Sequence, residues 1–191
     1  MTDPLQKLFG SIARLRLTRL FLFNPERSFS AFEAAQKTRV APREAHKEAA
    51  LLRGTGVLRR AGRRRPARFM LDPNFLHAAA LRALLRDVFS TGDLHARLRG
   101  AGAIKLIVVG GVFLGEWGAT LDLLVVGERM QDKKFAARIR ILESEMGREL
   151  SYALLQTQDF AYRLAMNDRL VRDVLDYPHK VVYDRLNIGL M

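Results

Sequence analysis

Residues 42–71, PREAHKEAALLRGTGVLRRAGRRRPARFML, combine an amphipathic helix with a strongly basic hairpin, and this pairing decides the fold class of the first part of the chain. Pro42 suits the first turn of a helix, which runs through ALLR until Gly54 supplies a stop. VLRR and ARFML then have the composition of two short strands joined by AGRRRP, in which Gly62 and Pro66 make the turn. The stretch therefore predicts a helix followed by a β-hairpin.

A second helix is predicted just before this stretch. SFSAFEAAQKTR offers Ser30 as an N-cap and Glu33 three residues later, which is the capping-box pattern. Arg39 and Val40 then form a short turn into the helix that contains Pro42.

One further amphipathic helix is predicted upstream, in LFGSIARLRLTRLFLF, which is ended by Asn24-Pro25. Its apolar residues near helical spacing are Leu8, Ile12, Leu15, Leu20 and Phe23. Gly10-Ser11 is expected to lie inside this helix, so it is not a phosphate-binding turn that follows a strand.

Three helices followed by a hairpin is the element order of winged-helix domains, whose third helix enters the major groove and whose hairpin tip reaches phosphates or the minor groove. Residues 8–71 resemble the winged helix-turn-helix domains of ArsR/MarR-like bacterial and archaeal regulators. The third helix places Arg43, His46 and Lys47 on the face opposite Ala45, Ala49 and Leu52. The basic residues predicted to contact double-stranded DNA are Arg39, Arg43, His46, Lys47, Arg60, Arg63, Arg64, Arg65 and Arg68. The alternative is that the arginine run is a solvated loop without a partner.

The charge distribution favours the same partner. The formal net charge is +12, and residues 1–77 hold 16 Lys/Arg against 6 Asp/Glu, whereas residues 78–191 hold 16 against 14. This asymmetry indicates two functional units, of which the first is built to meet a polyanion.

A connecting helix is predicted after Asp72-Pro73-Asn74, in FLHAAALRALLRDVF. Its apolar stripe consists of Leu81, Leu84, Leu85, Val88 and Phe89. The stripe packs either on the chain's own domains or on the same helix of a second copy, and we expect a homodimer. The predicted domains are residues 1–74, the connecting residues 75–99, and a second domain over residues 100–191.

The second domain begins with two apolar strands, AIKLIVVGG and LDLLVVG, joined by VFLGEWGAT, which is long enough for a turn or two. DKKFAARIRILESEMG predicts a helix with Phe135, Ile139, Leu142 and Met146 inward. ELSYALL predicts a strand followed by two short helices, and HKVVYD a final strand that ends at Asp184.

This outline resembles a minimal member of the nucleotidyltransferase superfamily, which implies a Gly-Ser turn, a Gly-Glu step, an Asp-x-Asp strand and a third carboxylate that hold two magnesium ions. The chain keeps Gly110 and Asp122 but has Gly111 in place of the serine and Thr120 in place of the first aspartate. The strand expected to carry the third carboxylate has Ser151, Tyr152 and Ala153 at its centre. Glu149 lies just before this strand and is expected to be outside the site.

The surviving Asp122 therefore has three alternative roles: a strand-end residue that accepts hydrogen bonds, a residual nucleotide-binding residue, or a catalytic carboxylate. Gly110 and Gly111 are the other candidate nucleotide-binding residues, because they would present backbone N–H groups to a phosphate. We expect no metal site and no cofactor, and a nucleotide is the candidate ligand of this domain.

The composition excludes several classes. The chain has no cysteine, which excludes disulfides and thiolate metal sites, and its histidines His46, His77, His95 and His179 lack ligand spacing. No apolar run approaches the about 20 residues that cross a bilayer. MTDPLQKLFG does not resemble a secretion signal, so we expect a cytoplasmic protein without membrane contact.

The sequence thus predicts an α+β protein, with an N-terminal winged helix and a small α/β nucleotidyltransferase-like domain. The favoured function is a DNA-binding transcriptional regulator whose degenerate second domain serves sensing or assembly. One alternative is an active nucleotidyltransferase of toxin-antitoxin type that uses Asp122. A second alternative is an architectural or RNA-binding protein. Residues 39–68 count against single-strand binding, because they offer no aromatic platform on which bases could stack.

Overall fold

The computed structural model describes residues 4–63, 65–86, 93–116 and 118–188, which form a mixed α+β fold. The chain divides into two compact units, Met1–Val88 with Ile141–Glu149, and Phe89–Arg140 with Leu150–Met191. Within the described ranges, no helix combines the length and the apolar character that a membrane span requires.

The first unit starts with two helices where one was predicted: α1 covers Pro4–Phe9 and α2 covers Ile12–Leu22. Gly10 interrupts them with a φ of 67°, and the Ser11 hydroxyl accepts a hydrogen bond from the Arg14 amide as the N-cap of α2. The prediction that Gly10-Ser11 lies inside a helix was therefore wrong. Leu8 and Ile12, placed on the apolar stripe by spacing alone, lie on either side of this break and are 70% and 42% exposed.

The next two helices follow the predicted signals. Helix α3 covers Ala31–Thr38 and begins with the reciprocal capping box of Ser30 and Glu33. Helix α4 covers Pro42–Gly54 and has proline in its first turn. The turn between them is made by Arg39, whose φ of 54° is in the left-handed region.

A small antiparallel sheet completes this part of the unit. Strand β1 covers Phe29–Ser30, β2 covers Leu58–Arg60 and β3 covers Arg68–Leu71, in the spatial order β1-β3-β2. The predicted hairpin is therefore present as β2 and β3. Strand β1 pairs with β3 of the hairpin and runs directly into α3. The hairpin is therefore joined through β1 to the start of that helix.

The core of the first unit lies between α2, α3, α4 and this sheet. Its buried residues include Leu17 and Phe21 from α2, Ala49 from α4, and Leu71 from β3. Helix α5, which covers Ala78–Arg86, adds its own apolar face to this core.

The stripe of α5 is only partly covered. Leu85 is buried and Leu81 packs against the core, whereas Leu84 is 46% exposed. Val88 and Phe89, the other members of the predicted stripe, lie outside the described residues.

Residues 141–149 pack with the first unit although they are distant from it in sequence. A side chain on Gly147, whose φ is 74°, would overlap the backbone of α2 at Leu20. Asn24 donates its Nδ2 hydrogen to the Gly147 carbonyl at 2.7 Å, and Lys37 donates to Glu149 at 2.7 Å. The Lys37 ammonium thereby lowers the pKa of the Glu149 carboxyl below its ordinary value.

The second unit is built on a mixed four-stranded sheet of order β6-β5-β4-β7. Its strands are β4 (Ala103–Val109), β5 (Leu123–Glu128), β6 (Tyr152–Gln156) and β7 (Lys180–Asp184). Strand β4 is antiparallel to β5 and β7, and β5 is parallel to β6. All four strands were predicted from their apolar runs.

Four helices accompany these strands in the chain: α6 (Leu94–Leu98), α7 (Asp132–Met146), α8 (Thr157–Ala165) and α9 (Arg169–Leu175). Phe160 and Val171 from α8 and α9 pack with Leu106 and Leu124 on one face of the sheet. The residues Phe135, Ile139, Leu142 and Met146 of α7 are buried, as their spacing predicted.

Candidate nucleic-acid interface and the Asp122 turn

Helix α4 has a clear division between a buried and an exposed face. Ala45 and Ala49 are fully buried and Leu52 is 5% exposed, whereas Arg43, His46 and Lys47 are exposed. The structure thus places the three basic residues together on the solvent side of a helix that is fixed from behind.

A partly buried ion pair holds α4 in place. Glu48, on its inner face, is 2% exposed and accepts a hydrogen bond at 2.8 Å from Nε of Arg14. Arg14 also donates to the Phe9 carbonyl at 3.1 Å, so one guanidinium joins α1, α2 and α4. Charge-assisted bonds of this kind are the stronger class of protein hydrogen bonds.

The hairpin tip carries exposed arginines. Arg60, Arg63 and Arg65 are exposed, and Gly62 makes the turn with a φ of 80°. Arg64 lies outside the described residues. Arg59, which the prediction left out, is exposed on β2 beside Arg60 and extends the basic surface. Its position in the same arginine-rich run was the signal that could have found it.

Arg39 is exposed at the turn between α3 and α4. Residues other than glycine, asparagine or aspartate are uncommon in the left-handed region, since the Cβ atom approaches the following carbonyl oxygen. An arginine in this conformation therefore costs backbone energy that glycine would avoid.

Arg68 differs from the other predicted contact residues, because its guanidinium has partners within the first unit. It donates to the Ser28 carbonyl at 2.6 Å and to the Ser28 hydroxyl at 3.1 Å, and Nη1 lies 2.9 Å from the Glu33 carboxylate. The backbone N–H of Ser30 and then Arg68 lower the pKa of Glu33 below its ordinary value.

The carboxylate of Asp122 is engaged on both oxygens. The residue is 6% exposed and lies just before β5. Oδ1 accepts the Val112 amide at 2.9 Å and Oδ2 accepts the Ser151 amide at 2.9 Å. Asp122 therefore links the turn after β4 to the start of β6. These contacts fit the role of a strand-end residue that accepts hydrogen bonds.

The same contact gives a reason for glycine at position 111. Gly111 has a φ of 49°, and a Cβ atom on it would overlap Oδ1 of Asp122. A serine there would displace the carboxylate from its amide partners. Glycine at position 111, where the sequence comparison expected serine, thus leaves room for Asp122 to bond both amides.

A cavity of about 270 Å³ lies beside this turn. Among its lining residues are Gly110, Gly111 and Thr120 from the predicted site, together with Glu116 and Asp173. The described residues that line it include two carboxylates and no lysine or arginine, which disfavours an anionic phosphate. Within the described ranges, no three His, Cys, Asp or Glu side chains converge as metal ligands would.

Comparisons with known proteins identify no relative: no family model, no curated protein and no solved structure matches the chain.

Proposed function

We propose that the chain is a DNA-binding transcriptional regulator that meets duplex DNA with the outer face of α4 and the tip of the β2–β3 hairpin. The observation that carries this proposal is the exposed basic set on these two adjacent elements. Arg43, His46 and Lys47 share one face of α4, and Arg63 and Arg65 stand at the hairpin tip.

The geometry of α4 suits insertion into a groove. Its outer face carries side chains that donate hydrogen bonds, for which bases and phosphates are acceptors. Its inner face is anchored by packing and by the Arg14–Glu48 pair. A helix held in this way presents its side chains without a large ordering cost on binding.

Within the first unit, the succession of α2, α3 and α4 followed by the β2–β3 hairpin supports a winged-helix assignment, in which the hairpin is the wing. The concentration of positive charge in residues 1–77 supports a polyanionic partner.

For the second unit we propose a nucleotidyltransferase-like fold that serves sensing or assembly. The contacts of Asp122 support a structural role for the only acidic ligand that the resemblance retained. We therefore assign no nucleotidyl transfer to the chain. The acidic lining of the cavity next to Gly110 and Gly111 favours an uncharged or cationic ligand over a nucleotide.

The test of DNA binding is the salt dependence of affinity for a labelled duplex of mixed sequence. The double variant Arg63→Ala/Arg65→Ala should lower the slope of log K against log salt by about 0.9 for each phosphate that is no longer neutralised. The matched control is Arg169→Ala/Arg172→Ala, which removes the same charge from exposed positions on α9. Equal slopes for the two double variants would remove the hairpin from the proposal.

A further inference from the structure

Arg68 is the first residue of β3, next to the hairpin loop, and is directly paired in the sheet with Ser30 of β1. Ser30 is also the N-cap of α3, so the residue opposite Arg68 belongs to the point where the sheet becomes a helix. The side chain of Arg68 therefore connects the hairpin to the start of α3 through Ser28 and Glu33.

Each of the three nitrogens of the Arg68 guanidinium donates one hydrogen bond at this point. Nε and Nη2 donate to Ser28 at 3.1 and 2.6 Å, and Nη1 donates to Glu33 at 3.0 Å. The other oxygen of Glu33 accepts the Ser30 amide at 2.7 Å and closes the capping box. One carboxylate thus contacts both the start of α3 and the loop end of β3.

Arg63 and Arg65, at the tip of the same hairpin, have a different environment. Both are exposed, and within the described residues neither forms an ion pair with a carboxylate. A phosphate can meet these two side chains without displacing an acidic partner, whereas at Arg68 it would have to compete with Glu33 and two groups of Ser28.

We infer that Arg68 is a positioning residue, which orients the basic hairpin relative to α4 and does not itself bind phosphate. The inference rests on the proposed function and corrects the sequence prediction for this residue. Its chemical basis is the planar fork of arginine, which reaches Ser28 and Glu33 together. Lysine carries the same charge but lacks this fork.

The discriminating variant is therefore Arg68→Lys, with Arg172→Lys on α9 as its matched control, because Arg172 also lies beside a carboxylate. Loss of the charge-assisted bonds in Arg68→Lys should weaken duplex binding about tenfold with an unchanged salt slope. Arg172 lies outside the residues proposed to contact DNA, so Arg172→Lys should bind within about twofold of the unmodified chain. Arg68→Ala should weaken binding as much as Arg68→Lys.

A second measurement, made without DNA, tests the anchoring itself. The amide of Ala61 donates to the Arg68 carbonyl at 2.9 Å and reports on opening of the hairpin. Arg68→Lys should speed hydrogen exchange at this amide about tenfold, because the loop end of the hairpin is released from Ser28 and Glu33. Arg172→Lys should leave this rate unchanged.

Two results would overturn the inference. The first is normal affinity in Arg68→Lys together with a slope lowered by about 0.9 in Arg68→Ala, which would make Arg68 a phosphate-binding residue. The second is unchanged exchange at Ala61 in Arg68→Lys. Absence of salt-dependent binding by the unmodified chain would instead refute the proposed function, and the exchange rates would still decide whether Arg68 anchors the hairpin.

Discussion

Replacing Gly111 by alanine places a methyl group where Oδ1 of Asp122 lies. The carboxylate must then move away from the Val112 amide, to which it is bonded at 2.9 Å, or the turn after β4 must shift. Either response strains the link between this turn and the start of β6. We expect the second unit to lose much of its stability.

The magnitude follows from two contributions. Alanine in the left-handed conformation, here a φ of 49°, costs about 1 to 2 kcal/mol more than glycine. Loss of one hydrogen bond to a charged group costs about 1.5 to 3 kcal/mol. Together they lower the free energy of unfolding by about 2.5 to 5 kcal/mol, a large share of the about 5 to 15 kcal/mol typical of a folded protein.

Urea unfolding followed by tryptophan fluorescence measures this loss. The chain has one tryptophan, Trp117, which lies in sequence between Gly111 and Asp122. A loss of about 3 kcal/mol should lower the urea midpoint by more than about 1 M. The matched control is Gly118→Ala, since a Cβ atom at Gly118 meets open space. The control should change stability by less than about 1 kcal/mol.

Equal urea midpoints for Gly111→Ala and Gly118→Ala would refute the proposed overlap between the methyl group and the Asp122 carboxylate. A second variant, Asp122→Asn, separates backbone strain from the broken hydrogen bond, because it keeps the shape of the side chain and removes its charge. We expect Asp122→Asn to be destabilising and the double variant Gly111→Ala/Asp122→Asn to be less destabilised than the sum, since both changes act on one interaction.

Three further predictions concern the first unit. Arg39→Gly should raise the free energy of unfolding by up to about 2 kcal/mol and should weaken duplex binding measured by fluorescence anisotropy. The control is Arg129→Gly, at a φ of 51°, which should stabilise the folded chain without changing its affinity for the duplex. Arg14→Met should lower the free energy of unfolding in urea by about 3 kcal/mol, because Glu48 stays buried without its partner. The double variant Arg14→Met/Glu48→Met should recover most of this loss. A single variant as stable as the double variant would contradict the prediction. The pKa of Glu33 is lowered in the folded state, so its stabilisation is present above its ordinary value of 4.5 and is lost as pH falls below it. The melting temperature of Glu33→Gln should therefore fall less between about pH 5 and pH 3 than that of the unmodified chain, and equal falls would count against the capping and ion-pair contacts.

Features that depend on neighbours in sequence were predicted well. The capping box of Ser30 and Glu33 needs residues three apart, and the two faces of α4 need only helical periodicity. The strands of the second unit were visible as apolar, β-branched runs. The exposed positions of Arg43, His46 and Lys47 followed from the same periodicity.

Features that depend on distant residues were not visible. The break between α1 and α2 at Gly10 was missed because the apolar spacing continues across it. Arg68 was placed with the contact arginines because its partners lie 35 and 40 residues earlier in the chain. The packing of residues 141–149 with the first unit has no signal in local sequence.

The sequence by itself determined where helices and strands form and which face of α4 is basic, because these properties arise from residues within one or two turns of each other. Only the tertiary structure decided what individual polar groups do. It bonded Asp122 to Val112 and Ser151, and Arg68 to Ser28 and Glu33. A buried or half-buried charge takes the partners that folding brings within hydrogen-bond distance, and that proximity is a property of the folded chain.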